Sequence, residues 1–575
     1  MNKKYFLSLV LLFSVKIFFA QEFNAFGLFG KGNPLKLNGG INAVSMYNYS
    51  SDPNSNPFNL IVGGNLNLNV KGFDVPLSFT YSNAKISSSF QPIPFNKFSI
   101  HPKYKNYTLH LGTVNKTFTQ YTLNGFQFNG AALDYEKDKL KLTILGGNFL
   151  KASGNYNLNP ILQPSYSRVG EGVAATYQFS KGINIGANIF HAKDNQFSSI
   201  NIPIEEGVFP KENLLASLTS IASITPSLSI NVEYANNLLT SNMNDAGYYT
   251  GHNGLSKFIR RNNTTNNKHA LNSTIAYKIK NIDLGVEYEN VDVNYESLGS
   301  LYTLNGFENT TFNISVPLLQ NKIFLNAKIG SQTDLVDTVF SQKSGRILTI
   351  FSFYYRATNK FTISGNYNNN KTVTNFRNLN SIETANKLLP YFLDSLRLVQ
   401  LNENASINAN YQLKTTENET SFLTTTYVYQ KGGGKQGDFF IDEQGSGFNN
   451  ASAYLFTTYP KKETRWNVGV DYTYITQGAS NYNSKALGFN FNFGKKFFKK
   501  KLDANIGSGY NSSFTSSNAS RVNVVNFKLG ANYTLLKKHV LNLNSIFQSQ
   551  NRSSNLIPST SRYNGYLTLS YNYKF

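Results

Sequence analysis

The chain of 575 residues has no cysteine, one tryptophan and three methionines, and only 15% of its residues are charged. Without a thiol there is no disulfide framework, no thiolate metal site and no lipid-anchored N-terminal cysteine. No stretch approaches about 18 consecutive apolar residues, which excludes a helical membrane protein. The histidines, His101, His110, His191, His252, His269 and His539, form no His-x-x-x-His pair and none has the flanking Glu of a zinc helix. No phosphate-cradling loop and no dinucleotide fingerprint is present. No local Ser–His motif of a hydrolase stands out, although among so many serines some Ser–His proximity arises by chance. Asp438, Asp442 and Glu443 do not have EF-hand spacing and read as a solvated acidic loop. The expectation is a non-enzyme with no cofactor and no metal.

What is abundant is uncharged polarity and aromatic rings. A mean hydropathy of −0.32 with so few charges means that Asn, Ser and Thr carry the polarity, while 45 Phe and 36 Tyr carry the apolar area. Such residues suit a wet lumen wall and a lipid interface. The last stretch arranges them. From Tyr563, every second residue is Tyr563, Gly565, Leu567, Leu569, Tyr571, Tyr573 and Phe575, with mostly polar residues between. Strict period-2 alternation gives one strand an apolar and a polar face. At about 3.3 Å per residue and a tilt of about 45°, the stretch spans the apolar band of a membrane barrel. The same alternation recurs from Phe58 to Val70, from Leu228 to Tyr234, from Ile282 to Tyr288 and from Leu487 to Phe493.

Residues 1–20 read as a secretory signal, with Lys3 and Lys4, an apolar run from Phe6 to Phe19 interrupted by Lys16, and Ala20 before Gln21. Residues 21–34 form a lead-in and 35–575 the barrel. Short connections such as Lys71–Asp74, Glu136–Lys139 and Lys537–Lys538 alternate with long Asn-, Ser- and Gly-rich ones such as 194–211, 238–266, 370–396 and 431–446. Short periplasmic turns and long extracellular loops are the habit of transmembrane barrels. Parity requires one further strand, placed at 86–99 with a turn at His101–Lys105, although Pro92 and Pro94 make a poor strand. The fold expected is all-β, a single antiparallel transmembrane barrel of about 26 strands (24–26).

The formal charge of +22 falls to +19 once Lys3, Lys4 and Lys16 leave with the signal. Many lysines lie in the short turns, most densely Lys495, Lys496, Lys499, Lys500 and Lys501. There they serve as a periplasmic rim that pairs with lipid headgroups; anion steering and docking of an acidic periplasmic partner are the alternatives. This placement argues against nucleic-acid binding. A second basic group, Lys257, Arg260, Arg261 and Lys268, falls in a long outer loop, solvated or set against lipopolysaccharide phosphates.

Segment 382–398 differs from the other loops, because Leu388, Leu389, Phe392, Leu393 and Leu396 recur at helical spacing. A short helix there would either fold into the mouth and constrict the pore or cap the loop from outside. The run Gln430–Gly437 reads as a flexible tip. The run His101–Tyr135, crowded with glycines and aromatics, looks family-specific, with no activity attached. The N-terminal Phe19-Ala20-Gln21, the Asn/Tyr/Phe-rich strands and the closing Tyr571-Asn572-Tyr573-Lys574-Phe575 together resemble the large outer-membrane barrels of Bacteroidota. The chain departs from TonB-coupled receptors in showing neither plug nor coupling segment. The resemblance implies an outer-membrane location, contact with lipid and lipopolysaccharide, and handling by the barrel assembly machinery, which recognises closing strands that end in Phe. A lumen this wide needs an occupant, either inward loops or a periplasmic or lipoprotein partner. Two functions follow as expectations: a gated channel for a solute or exported polymer, or a non-enzymatic envelope scaffold or surface subunit of a secretion complex.

Overall fold

The computed structural model describes residues 36–575 except 51–57, 71–72, 84–96, 153–164, 199–207, 248–258, 260, 302, 304, 336–344, 376–396, 437–438, 441–445, 478–481, 517–519 and 556–557. Every pairing between strands is antiparallel, and each position of the wall pairs with the next along the chain. The ring closes where the first strand, Lys36–Ser50, pairs with the last, Thr560–Lys574, through partners such as Ala43 with Tyr571 and Ser45 with Leu569. The main chains of Phe575 and Gly39 extend that seam with mutual hydrogen bonds of 3.1 and 3.4 Å. Lys97–Ile100 and Lys103–Tyr104 together occupy one wall position, and Phe439–Phe440 only folds back on the end of Thr420–Gln436, so the wall has 26 strands. At a spacing of about 4.8 Å and a tilt of about 40°, such a ring is about 50 Å across between backbones.

Two expectations are corrected. The parity strand expected at 86–99 is described only from Lys97, as Lys97–Ile100 and Lys103–Tyr104, and its turn falls at Lys105–Asn106 rather than over His101–Lys105. Pro92 and Pro94 lie outside the described residues. Gln430 to Gln436 is not a flexible tip; it completes the strand Thr420–Gln436, with Gly432, Gly433 and Gly434 opposite Asn402, Leu401 and Gln400. Glycine weakens a strand but still offers its N–H and C=O to the ladder.

In up-and-down order every connection longer than four residues falls on one rim, and the other rim has only turns of two to four residues. Lys105, Asp138, Lys280, Lys499, Lys500 and Lys537 take φ between 50° and 70° in the short turns. Tight hairpins need positive φ because only the mirror-image turns match the right-handed twist of the strands. The wall alternates as the sequence does. Ile275, Val286, Phe312 and Ile329 are register partners on four successive strands, each about half exposed at 47–52%, and they form part of a continuous apolar row on the outer face. On the strand Phe58–Val70, Asn59, Asn65, Asn67 and Asn69 take the opposite, inner face. No helix among the described residues is long and apolar enough to cross a membrane; here the strands provide the apolar belt.

Candidate functional site: two connections seated inside the barrel

Two long connections turn inward. Residues 116–126 join Tyr107–Asn115 to Gln127–Lys137, and residues 292–306 join Ile282–Val291 to Phe307–Leu318, with six strands of wall between the two hairpins. They nevertheless touch. The Tyr295 hydroxyl donates to the Tyr121 carbonyl at 2.8 Å, the Ser297 hydroxyl to the Thr122 carbonyl at 2.5 Å, and the Asn124 N–H to the Gly299 carbonyl at 3.0 Å. They meet over the inner face of the wall between them, where Leu298 reaches Asn213 and Gly299 lies against Phe190.

The inward pair is held by its own apolar core. Tyr121, Leu123, Phe126, Tyr295 and Leu298 are buried against lumen-facing wall residues that include Phe128, Phe149, Phe190 and Leu215. Burial of each such side chain contributes about 1.5–3 kcal/mol, so the pair is seated as a fixed body. Two glycines make the fit. Gly112, at φ 94°, kinks the strand that leads into residues 116–126, and a Cβ there would stand 2.2 Å from the Phe98 carbonyl oxygen. Gly299 lies flat on the Phe190 ring, where a Cβ would come within 2.6 Å of a ring carbon.

Wall polar groups satisfy the backbone of the inserted segment, as burial requires. Asn213 accepts from the Leu298 N–H at 3.0 Å and donates to Asn237 at 2.5 Å, while Asn237 donates to the Glu296 carbonyl at 2.8 Å. The Tyr121 hydroxyl and the Gln120 amide both donate to Glu289, at 2.7 and 3.0 Å. Burial first, then the Glu289 carboxylate, pushes the Tyr121 phenol far above its usual range, so it stays a donor.

At the base of residues 116–126 the wall supplies a polar chain. The Ser99 hydroxyl lies 3.1 Å from His101 Nε2, His101 Nδ1 lies 2.8 Å from His110 Nδ1, and His110 Nε2 lies 2.8 Å from Asp134 Oδ2. One direction satisfies all three contacts, each group donating to the next towards Asp134. Thr143 donates to the other Asp134 oxygen at 2.7 Å, and the Lys116 ammonium pairs with Asp134 from the inserted loop. Asp134 is thus the anchor of the inward turn. Asp134→Ala is expected to loosen the base of the loop by about 1–3 kcal/mol. Limited trypsin digestion in detergent checks this, with cleavage after Lys116 expected to rise roughly tenfold.

The pore-constricting residues expected from sequence, Leu388, Leu389, Phe392, Leu393 and Leu396, lie outside the described residues. So do Asp438, Asp442, Glu443, Lys257 and Arg260, whereas Lys268 is on the strand Thr265–Ile279. Of the rim lysines, Lys495 and Lys496 end the strand Tyr482–Phe497, and Lys499, Lys500 and Lys501 make the turn after it. All five are exposed; Lys500 reaches Glu463 at 3.8 Å, and Lys495 lies 5.4 Å above the Phe497 ring. Tyr563, Leu567, Leu569, Tyr571 and Tyr573 share one face of the last strand, and Phe575 follows it at the seam. The inward connections were not singled out from sequence, though residues 116–126 fall inside the run His101–Tyr135.

No protein-family model matches the chain, and no curated protein matches it. Solved structures of similar outline include the translocation pore of the P pilus usher (8% identity, 94% of this chain and 99% of that one, TM-score 0.38). The FrpB iron transporter from Neisseria meningitidis (10% identity, 94% and 82%, TM-score 0.39) is another. A third is BauA, the ferric preacinetobactin receptor from Acinetobacter baumannii (11% identity, 94% and 81%, TM-score 0.33). Likenesses this low carry no function across.

Proposed function

We propose that the protein is an outer-membrane channel whose passage is narrowed by the seated pair of inward connections, and that it moves a solute or exported polymer along the uncovered wall. The observation that carries this reading is the meeting of residues 116–126 and 292–306 inside the barrel, over six strands of wall. A purely structural wall has no use for two loops that leave the surface and spend their apolar residues inside. The apolar row on the outer face supports a seat in lipid, and with that seat the reading takes lipopolysaccharide around the long-loop end and an assembly machinery that acts on the last strand. Reconstitution of the purified full chain in planar bilayers tests the reading. Steady openings support a channel, whereas a barrel that folds and stays silent overturns it in favour of a scaffold.

The proposal assigns no enzymatic role. Ser99 has a histidine partner, yet it is only 7% exposed and its hydroxyl lies 2.6 Å from that of Ser78, which leaves a substrate carbonyl little room. A fluorophosphonate reagent that labels activated serines is expected to leave Ser99 unmodified, as read by mass spectrometry of the folded barrel. Stoichiometric labelling would require a hydrolase instead.

A further inference from the structure

Away from the inward pair, the inner wall carries a concavity of about 380 Å³ near the short-turn rim. Two register rows line it across four successive strands. The row nearer the rim is Phe324, Tyr354, Ser364 and Asn408, and the next is Asn326, Ser352, Asn366 and Ser406. Their place on the lumen face follows from register, since Asn326 and Phe324 continue the alternation from Gln332, partner of Asn309 and through it of Glu289. Phe324 and Tyr354 stand with ring centroids 6.4 Å apart and remain 41% and 38% exposed.

The chemistry of this lining is selective. No charged side chain lines the concavity, so there is nothing to pay the desolvation of an ion. Amides and hydroxyls offer both donors and acceptors in a fixed array: Asn326 donates to Ser352 at 3.4 Å and Asn366 to Ser406 at 2.8 Å, while Ser315 donates to Asn326 at 2.6 Å. The Tyr354 and Ser364 hydroxyls have no hydrogen-bond partner among the described residues. Adjacent half-exposed rings present flat apolar faces beside this array. A ligand that matches all three features is uncharged, has a flat C–H face and bears many hydroxyls.

We infer that this concavity is a subsite for a neutral saccharide unit, so that the solute or polymer moved through the channel is a neutral glycan; this rests on the channel reading above. Titration calorimetry of the full-length barrel in detergent micelles tests it with maltohexaose, cellohexaose and, as a charged contrast, hexagalacturonate. At least one neutral hexasaccharide is expected to bind, with hexagalacturonate weaker. Joint Phe324→Ala and Tyr354→Ala substitution is expected to weaken binding about tenfold, the worth of two ring contacts. Asn326→Leu, which leaves the rings in place, is expected to weaken it as well. Absence of neutral-sugar binding overturns the inference, as does unaltered affinity in the ring variant, or equal or tighter binding of the charged oligomer. A barrel that binds the sugar but never conducts keeps the subsite and sinks the channel; one that conducts but ignores neutral sugars sinks the subsite alone.

Discussion

Replacing residues 117–125 with a short glycine linker is expected to raise single-channel conductance several-fold while the barrel stays folded. The reason lies in how the two inward connections depend on each other. Residues 292–306 find their hydrogen-bond acceptors on the Tyr121 and Thr122 carbonyls and a donor in the Asn124 N–H. Removing those groups strands the Tyr295 and Ser297 hydroxyls and uncovers Phe128, Phe149 and Phe190 to water. Each uncovered large side chain gives up about 1.5–3 kcal/mol of burial, so the remaining connection loses its seat as well and the lumen beside that wall widens. The wall itself is a closed ladder that does not use residues 117–125, so heat-modifiable migration on gels is expected to persist. Asn124→Ala trims an exposed side chain of the same connection while keeping its N–H, and is expected to leave conductance near its original value. If the excised barrel conducts no more than the parent, the inward pair is not the constriction.

Much of this architecture is legible in the sequence because a strand that faces lipid on one side and water on the other writes its burial into alternate positions. Phe58 to Val70 and Tyr563 to Phe575 have only one register that keeps their apolar residues in lipid, and the pairings of Ala43 with Val62 and with Tyr571 follow it. Turn parity supplied the strand number, although the parity strand takes in Lys103–Tyr104, where its turn was expected. The inward pair was far less legible. Tyr121, Leu123 and Phe126 follow no period, because an inserted loop has no repeating geometry to impose one. Asn213 and Asn237 look like ordinary lumen asparagines, and only the fold reveals that they saturate a loop 85 and 59 residues downstream. Likewise Ser99, His101, His110 and Asp134 come from three wall positions, and the chain they form exists only once Lys97–Tyr104, Tyr107–Asn115 and Gln127–Lys137 lie side by side. The clue that was present is the crowding of glycine and aromatic residues between His101 and Tyr135, since ring-on-backbone contacts need glycine at the point of approach.

The sharpest consequence of the wall concerns two adjacent residues of the last strand. Leu569 pairs with Ser45 and Leu543 on the outer face, whereas Ser570 pairs with Val44 and Asn542, and Asn542 donates to the Ser570 hydroxyl at 3.0 Å. Both sit near the middle of Thr560–Lys574. An arginine at Leu569 points its charge into hydrocarbon, which costs about 2–4 kcal/mol at the bilayer midplane. One at Ser570 points into water and forfeits only a hydrogen bond, about 0.5–1.5 kcal/mol. Leu569→Arg is therefore expected to lower the urea midpoint of folding into lipid vesicles clearly and to reduce the assembled fraction in cells, with Ser570→Arg close to the parent. Because this strand also closes the ring, the penalty falls on the seam, where a slipped register leaves Lys36–Ser50 as an open edge in lipid and every unpaired N–H and C=O there unsatisfied. Equal behaviour of the two variants would mean that inside and outside have been assigned wrongly, and the constriction and the saccharide concavity would lose their place in the lumen with them.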